Sequence, residues 1–85
     1  MKQEVQLRFF AGLREKIGTE KTGFKLENNP EALEKLKERV KEKFPEIGED
    51  LEHVSIAVNQ EIARPEQTTV HPGDEIAFLP PFGGG

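Results

Sequence analysis

Apolar and polar residues alternate cleanly in EVQLRFF, near the start of the chain. Val5, Leu7 and Phe9 fall on one face, Gln6 and Arg8 on the other. A period of two predicts a strand with one buried face. In AGLREKIG the period lengthens: Leu13 and Ile17 make one stripe of a helical turn, and Gly18 is placed to stop it. KTGFKLE returns to alternation around Phe24 and Leu26, so a second strand runs back antiparallel to the first.

NNPEALEKLKERVKEKFP carries the strongest helical pattern. Leu33, Leu36, Val40 and Phe44 share a face, and nearly everything else is Glu, Lys or Arg. Asn29 is expected to cap this helix, with Pro30 at its first position, where a missing N–H costs nothing. Pro45 ends it. Glu31 and Lys35 form a favourable pair one turn apart, as do Glu34–Lys37 and Glu38–Lys41. This charge run is read as a solvated helix face. PEIGEDLEH reads as an acidic loop without the spaced ligands of a calcium site. VSIAVNQEIA predicts a third strand with Val54, Ile56 and Val58 inward and Ser55 and Ala57 outward. Asn59-Gln60 then turns into a short strand at Ile62. After the connection RPEQTTVHPG, DEIAFLPP predicts the last strand, with Ile76 and Phe78 inward and Ala77 and Leu79 outward.

This order predicts one α+β domain over residues 1–79. It is a β-grasp (ubiquitin-like) arrangement: a mixed four- to five-stranded sheet covered by one main helix, with the first and last strands side by side. Residues 80–85 are expected to form a flexible C-terminal reactive tail.

Length and composition narrow the function. A chain of 85 residues is a single small domain that buries only about 60–65% of its unfolded surface, so it has little volume for a deep pocket. There is no cysteine, which removes disulfides, thiolate metal sites and cysteine nucleophiles. The start of the chain lacks a signal pattern and no apolar run approaches the ~18 residues of a membrane span, so a cytoplasmic location is expected. The formal charge of −4, from 16 acidic and 12 basic side chains, argues against nucleic acid as a partner. Interspersed charges of both signs would also suit a hot environment.

Side chains offer no visible catalyst. His53 and His71 are the only histidines and have no companion cysteine, so no metal site is expected. No nucleophilic triad follows from the spacing, and no glycine loop precedes a helix as phosphate binding requires. What remains is the terminal carboxylate. Three glycines alone would read as a loose end or a scar. Here they follow a strand and Pro-Pro-Phe with no linker, and are read as a working part. Glycine lacks a Cβ, so Gly83 and Gly84 can thread a slot that any side chain would block. From Pro80 to Gly85 the tail reaches about 20 Å when extended. Pro80 and Pro81 bias it to an extended path, and Leu79 and Phe82 are natural apolar anchors.

FFAGLRE (Phe9 to Glu15), IAVNQE (Ile56 to Glu61) and PGDEIAFLPPFGGG (Pro72 to Gly85) resemble the MoaD/ThiS group of ubiquitin-like sulfur carriers, most closely the MoaD branch, which includes the small archaeal modifier proteins. The family usually has Val at Phe82 and Ser or Ala at Gly83, so the third glycine is a substitution and Gly84-Gly85 is the diglycine. The resemblance implies a carrier that is not itself an enzyme and binds no cofactor. An E1-like adenylating enzyme would use ATP to adenylate the Gly85 carboxylate, and a sulfur donor would convert it to a thiocarboxylate. The large subunit of molybdopterin synthase (MoaE-like) would then receive the sulfur for the molybdenum or tungsten cofactor. In the alternative branch, target-protein lysines attack Gly85 and the chain is a protein modifier. A third reading is a plain interaction module with no reactive end.

By parity the outward sheet face carries Arg8, Ser55, Ala57, Ala77 and Leu79 beside the tail. Two readings stand: a partner-binding patch, or small residues filling an open face. Arg14, in the Leu-Arg-Glu stretch, is either an ion-pair contact to an acidic activating enzyme or a solvated helical arginine.

Overall fold

The computed structural model describes residues 3–80. Strand β1 (Glu4–Phe9) leads into helix α1 (Ala11–Ile17) and strand β2 (Lys21–Lys25). A two-residue strand β3 (Glu31–Ala32) precedes the main helix α2 (Leu33–Lys43). Strands β4 (Ser55–Val58), β5 (Glu61–Ala63), β6 (Thr69–Val70) and β7 (Glu75–Leu79) follow. Five strands form one sheet in the order β2-β1-β7-β4-β5, and β3 pairs with β6 in a separate two-stranded ladder. β1 and β7 are parallel, while β2 and β4 flank them antiparallel. This is the β-grasp arrangement expected from the alternation pattern.

Inward residues of the central strands build the core. Val5, Leu7, Phe9, Ile56, Ile76 and Phe78 pack with Leu33, Leu36 and Val40 of α2 and with Leu13 of α1. Phe9 and Phe78 are register partners whose rings stack at 5.5 Å, and Phe44 meets Phe9 edge-on at 5.7 Å. Such aromatic pairs add about 0.5–1.5 kcal/mol beyond their buried area. Gly18 ends α1 with φ 89°, a left-handed conformation suited to glycine, and its N–H bonds the Arg14 carbonyl at 2.8 Å. Asn59 (φ 51°) and Gln60 (φ 74°) form the tight turn between β4 and β5.

Three expectations are corrected. First, α2 starts at Leu33, with Ala32 at its N-cap, so Asn29 does not cap it and Pro30 is not its first residue. The reason is the β3–β6 ladder, which takes Glu31 and Ala32 as extended partners of Val70 and Thr69. Second, Glu31 does not pair with Lys35. It is 1% exposed; Oε1 accepts the Glu27 backbone N–H at 2.7 Å, and Oε2 accepts Arg39 Nη1 at 2.6 Å. Arg39 in turn bonds the Lys25 carbonyl at 2.6 Å and lies 5.0 Å over the Phe24 ring. Third, the acidic stretch after Phe44 is not plain loop. Pro45–Ile47 and Asp50–Glu52 are 3-10 turns that bury Ile47 and Leu51 against the core. Their acidic residues are tied outward, Asp50 to Lys16 at 2.7 Å and Glu52 to Lys41.

Two outcomes follow. Replacing Arg39 by Leu strands the buried Glu31 carboxylate and should lower stability by about 3 kcal/mol. An added Glu31→Leu should recover part of that loss, as urea unfolding will measure. The hydrogen bond and charge of Lys41 hold the Glu52 carboxyl below its ordinary value of 4.5. A depressed carboxyl stabilises above its unfolded pKa and loses that contribution as pH falls through the folded value. Glu52→Gln should therefore flatten the decline of melting temperature below about pH 4.5 and leave the neutral-pH slope unchanged.

Candidate functional site

The strands that bury Phe9, Phe78 and Ile56 on one face must present their alternate residues on the other. Register places these in rows. Arg8 pairs with Ala77, Ala77 with Ala57, and Ala57 with Ile62, so one row crosses four strands. Lys21 extends it on the Arg8 side. In the next row Leu79 stands opposite Ser55. Arg8, Ala57, Ala77 and Leu79 are thus brought onto one continuous face, and Pro80 follows Leu79 directly.

That face is small-featured and partly apolar. Ala57 is only 5% exposed although it points away from the core, flanked in register by Ala77 and Ile62. Ile62 is 70% exposed, and among the described residues it is the one large hydrophobic side chain so placed. The sequence pattern places Ile62 only within a short strand; its outward direction follows from its pairing with Ala57, since Ala63 takes the inward position and packs against the core. A three-residue strand is too short for alternation to reveal its facing. Phe10 was also passed over. The Arg8 guanidinium lies 5.2 Å over its ring, and Arg8 Nη1 is 3.5 Å from Glu75 Oε2.

A latch fixes where β7 begins. Asp74 Oδ1 accepts Asn59 Nδ2 at 3.0 Å and Oδ2 accepts the His71 N–H at 2.8 Å. The Glu75 N–H donates to Asn59 Oδ1 at 3.0 Å, and the Asn59 N–H to the Glu75 carbonyl at 2.8 Å. Gly73, at φ 91°, makes the turn, and its N–H reaches the Glu4 carbonyl at 2.8 Å. The Gly-Asp-Glu stretch therefore ties the β4–β5 turn, the start of β1 and the start of β7 together, and so sets the register of the strand that carries the tail. On the other side of the tail root, a depression of about 300 Å³ is lined by Gly12, Leu13, Lys16, Asp50, His53, Val54 and Pro80.

Arg14 stands elsewhere, exposed on α1, and is not in the cross-strand row. The expected tail residues Pro81, Phe82, Gly83, Gly84 and Gly85 lie outside the described residues. Among the described residues no group of three or more His, Asp or Glu could hold a metal ion, and no helix is long and apolar enough to cross a membrane.

Comparison with known proteins agrees with this geometry. A sequence model described as the ThiS family matches residues 7–85. A protein named molybdopterin synthase sulfur carrier subunit, from Dictyostelium discoideum, is 33% identical over 86 residues, spanning 100% of both chains. The crystal structure of SAMP1 from Haloferax volcanii superposes with a TM-score of 0.84 at 20% identity, covering 96% of this chain and 99% of that one, which bears on the fold alone. A chain from a complex of subunits 1 and 2 of the molybdopterin-converting factor of Helicobacter pylori 26695 matches at 28% identity with a TM-score of 0.70, covering 96% and 99%.

Asp74→Ala removes the acceptor of two hydrogen bonds from a half-buried turn. It should cost about 1–3 kcal/mol, and amide exchange should quicken first in β5 and at the start of β7 rather than in α2.

Proposed function

The chain belongs to the ThiS family, and from that premise we propose that it is a sulfur carrier, the small subunit of a molybdopterin synthase. Its open sheet face docks partners and its Gly85 carboxylate is the reacting group. What supports this reading is the cross-strand row: Ala57, Ala77 and Ile62 form a low, apolar surface one row from Leu79, the residue that opens the Leu-Pro-Pro-Phe-Gly-Gly-Gly stretch.

The chemistry runs in balanced steps. A carboxylate is a poor electrophile, so a Gly85 oxygen first attacks the α-phosphorus of ATP on an E1-like enzyme. Pyrophosphate leaves and an acyl-adenylate forms. Hydrosulfide, or a donor's persulfide, then attacks the acyl carbon and expels AMP. The first leaves a thiocarboxylate directly. The second leaves an acyl disulfide whose S–S bond a partner thiol cleaves, releasing the thiocarboxylate and taking the donor sulfur into a disulfide. The thiocarboxylate sulfur finally bonds to a carbon of a dithiolene precursor held by the large synthase subunit, displacing an oxygen of that precursor. Water then cleaves the acyl–sulfur bond, so that the carboxylate returns and the sulfur stays on the precursor. Glycines at 83–85 present no Cβ to the slot through which they pass. The chain has no cysteine, so every thiol step falls to partners. Docking on the sheet face holds the domain while the tail enters.

Incubation with the activating enzyme, ATP and a sulfur source should raise the intact mass by one sulfur-for-oxygen exchange. Deletion of Gly84-Gly85, or addition of one residue after Gly85, should abolish the gain; an unchanged mass for the parent chain would rule the carrier reading out. Ala77→Gln, which raises a bulky polar side chain in the middle of the flat row without setting a like charge against Arg8, should weaken binding to the large subunit at least tenfold, about 1.4 kcal/mol, without a large change in melting temperature.

A further inference from the structure

Resting on the reading that the open face docks a partner, we infer that this partner presents a carboxylate side chain to Arg8, beside the apolar row. The row is not uniform. In register it reads Lys21, Arg8, Ala77, Ala57, Ile62, cationic at one end and apolar at the other. Arg8 and Lys21 stand directly opposite each other, and like charges so placed destabilise a sheet. Further along the same two strands, Glu4 stands opposite Lys25, the arrangement that local stability favours. Among the described residues Lys21 makes no ion pair. In a chain of net charge −4, two facing cations beside an apolar surface call for an anionic counterpart.

Arg8 is also short of acceptors. Its contact with Glu75 at 3.5 Å is too long for a strong hydrogen bond. Its Nε is buried and, among the described residues, has no hydrogen-bond partner. The Phe10 ring, 5.2 Å from the guanidinium carbon, attracts its charge but offers it no lone pair. Glu75 is held back through its own backbone, whose N–H is bound by Asn59. Arg8 nevertheless keeps 35% of its side chain exposed. A purely apolar partner laid over it would remove the remaining water from an under-satisfied charge, which costs more than the contact returns. An Asp or Glu of the partner instead meets the planar fork of donors with matching geometry and makes charge-assisted hydrogen bonds. The acidic residue fixes the register of docking, while Ile62 supplies the apolar contact.

The test titrates the full chain against the large synthase subunit of the same organism, at low and high salt, using Arg8→Leu, Arg8→Gln and Ile62→Asp. Thermal unfolding establishes that each variant is folded. Arg8→Leu enlarges the apolar row, yet it should weaken binding tenfold or more and flatten the salt dependence, and Arg8→Gln should do likewise. If both Arg8 variants bind as tightly as the parent while Ile62→Asp weakens binding, the carboxylate is overturned and the docking face stands. If Ile62→Asp leaves the affinity unchanged, the docking face falls and the inference falls with it.

Discussion

The parallel pairing of β1 with β7, closed by the stacked rings of Phe9 and Phe78, is the constraint on which the remaining structure depends. Parallel neighbours cannot be joined by a tight turn. Here the two strands are also the first and last of the domain, so everything between them must wrap around the pair. β2 and β4 take the outer sides, and α2 lays Leu33, Leu36 and Val40 over the inner face. Because β7 is central, the strand that leads into the tail is held from both sides as far as Phe78, by Phe9 and Ile56, and Leu79 is still paired on one side, with Ser55. A tail leaving an edge strand would inherit that edge's looseness. Here Leu79 belongs to a strand flanked on both sides.

The same economy leaves the other face bare. A chain of 85 residues can cover one side of a five-stranded sheet with a helix, and has no second helix of comparable length for the other. An uncovered face usually carries polar side chains. Its centre here carries Ala57 and Ala77, with Ile62 exposed at the edge strand, and the cross-strand row they form bears its charges, Arg8 and Lys21, only on the β1–β2 side. Alanine neither hydrates well nor stabilises a strand, so local stability does not account for two of them side by side in the middle of a sheet. The proposed role, a surface that lies flat against another protein, does.

Much of this was legible in the sequence because the two periodicities are unmixed where the core is made. Val5, Leu7 and Phe9, then Ile76 and Phe78, alternate without interruption, and Leu33, Leu36 and Val40 keep to one helical stripe. Legibility failed where a contact distant in sequence overrides local preference. Asn29-Pro30 has the chemistry of a helix start, but Glu31 is claimed by Arg39 and by the ladder with Val70. Leu51 sits in an acidic run whose average polarity hides a fully buried anchor. Ile62 lies in a strand too short to show its facing, which only the partner Ala57 reveals. In the site, parity alone grouped Arg8, Ala57, Ala77 and Leu79. The cationic neighbour Lys21 could not be grouped with them before the antiparallel register was known.

Under the proposed function, docking and tail capture depend on each other. Ordering three glycines costs on the order of 3–6 kcal/mol of backbone entropy, and their lack of side chains gives a slot nothing to hold but backbone. Tail capture alone is therefore a weak event. Burying Ile62 returns about 1.5–3 kcal/mol, and the alanine row allows close approach without displacing side chains. Once the face is docked, capture of the tail becomes intramolecular, with the effective concentration set by a short span from Leu79 rather than by bulk encounter. Stiffness matters here: Pro80 follows a strand already fixed in the sheet centre, so less of the span is left to be ordered. The division of labour follows from these magnitudes. In the proposed role, affinity resides in the folded face, where it can be released as a unit, and the bare glycines carry the reactive end into another protein's active site.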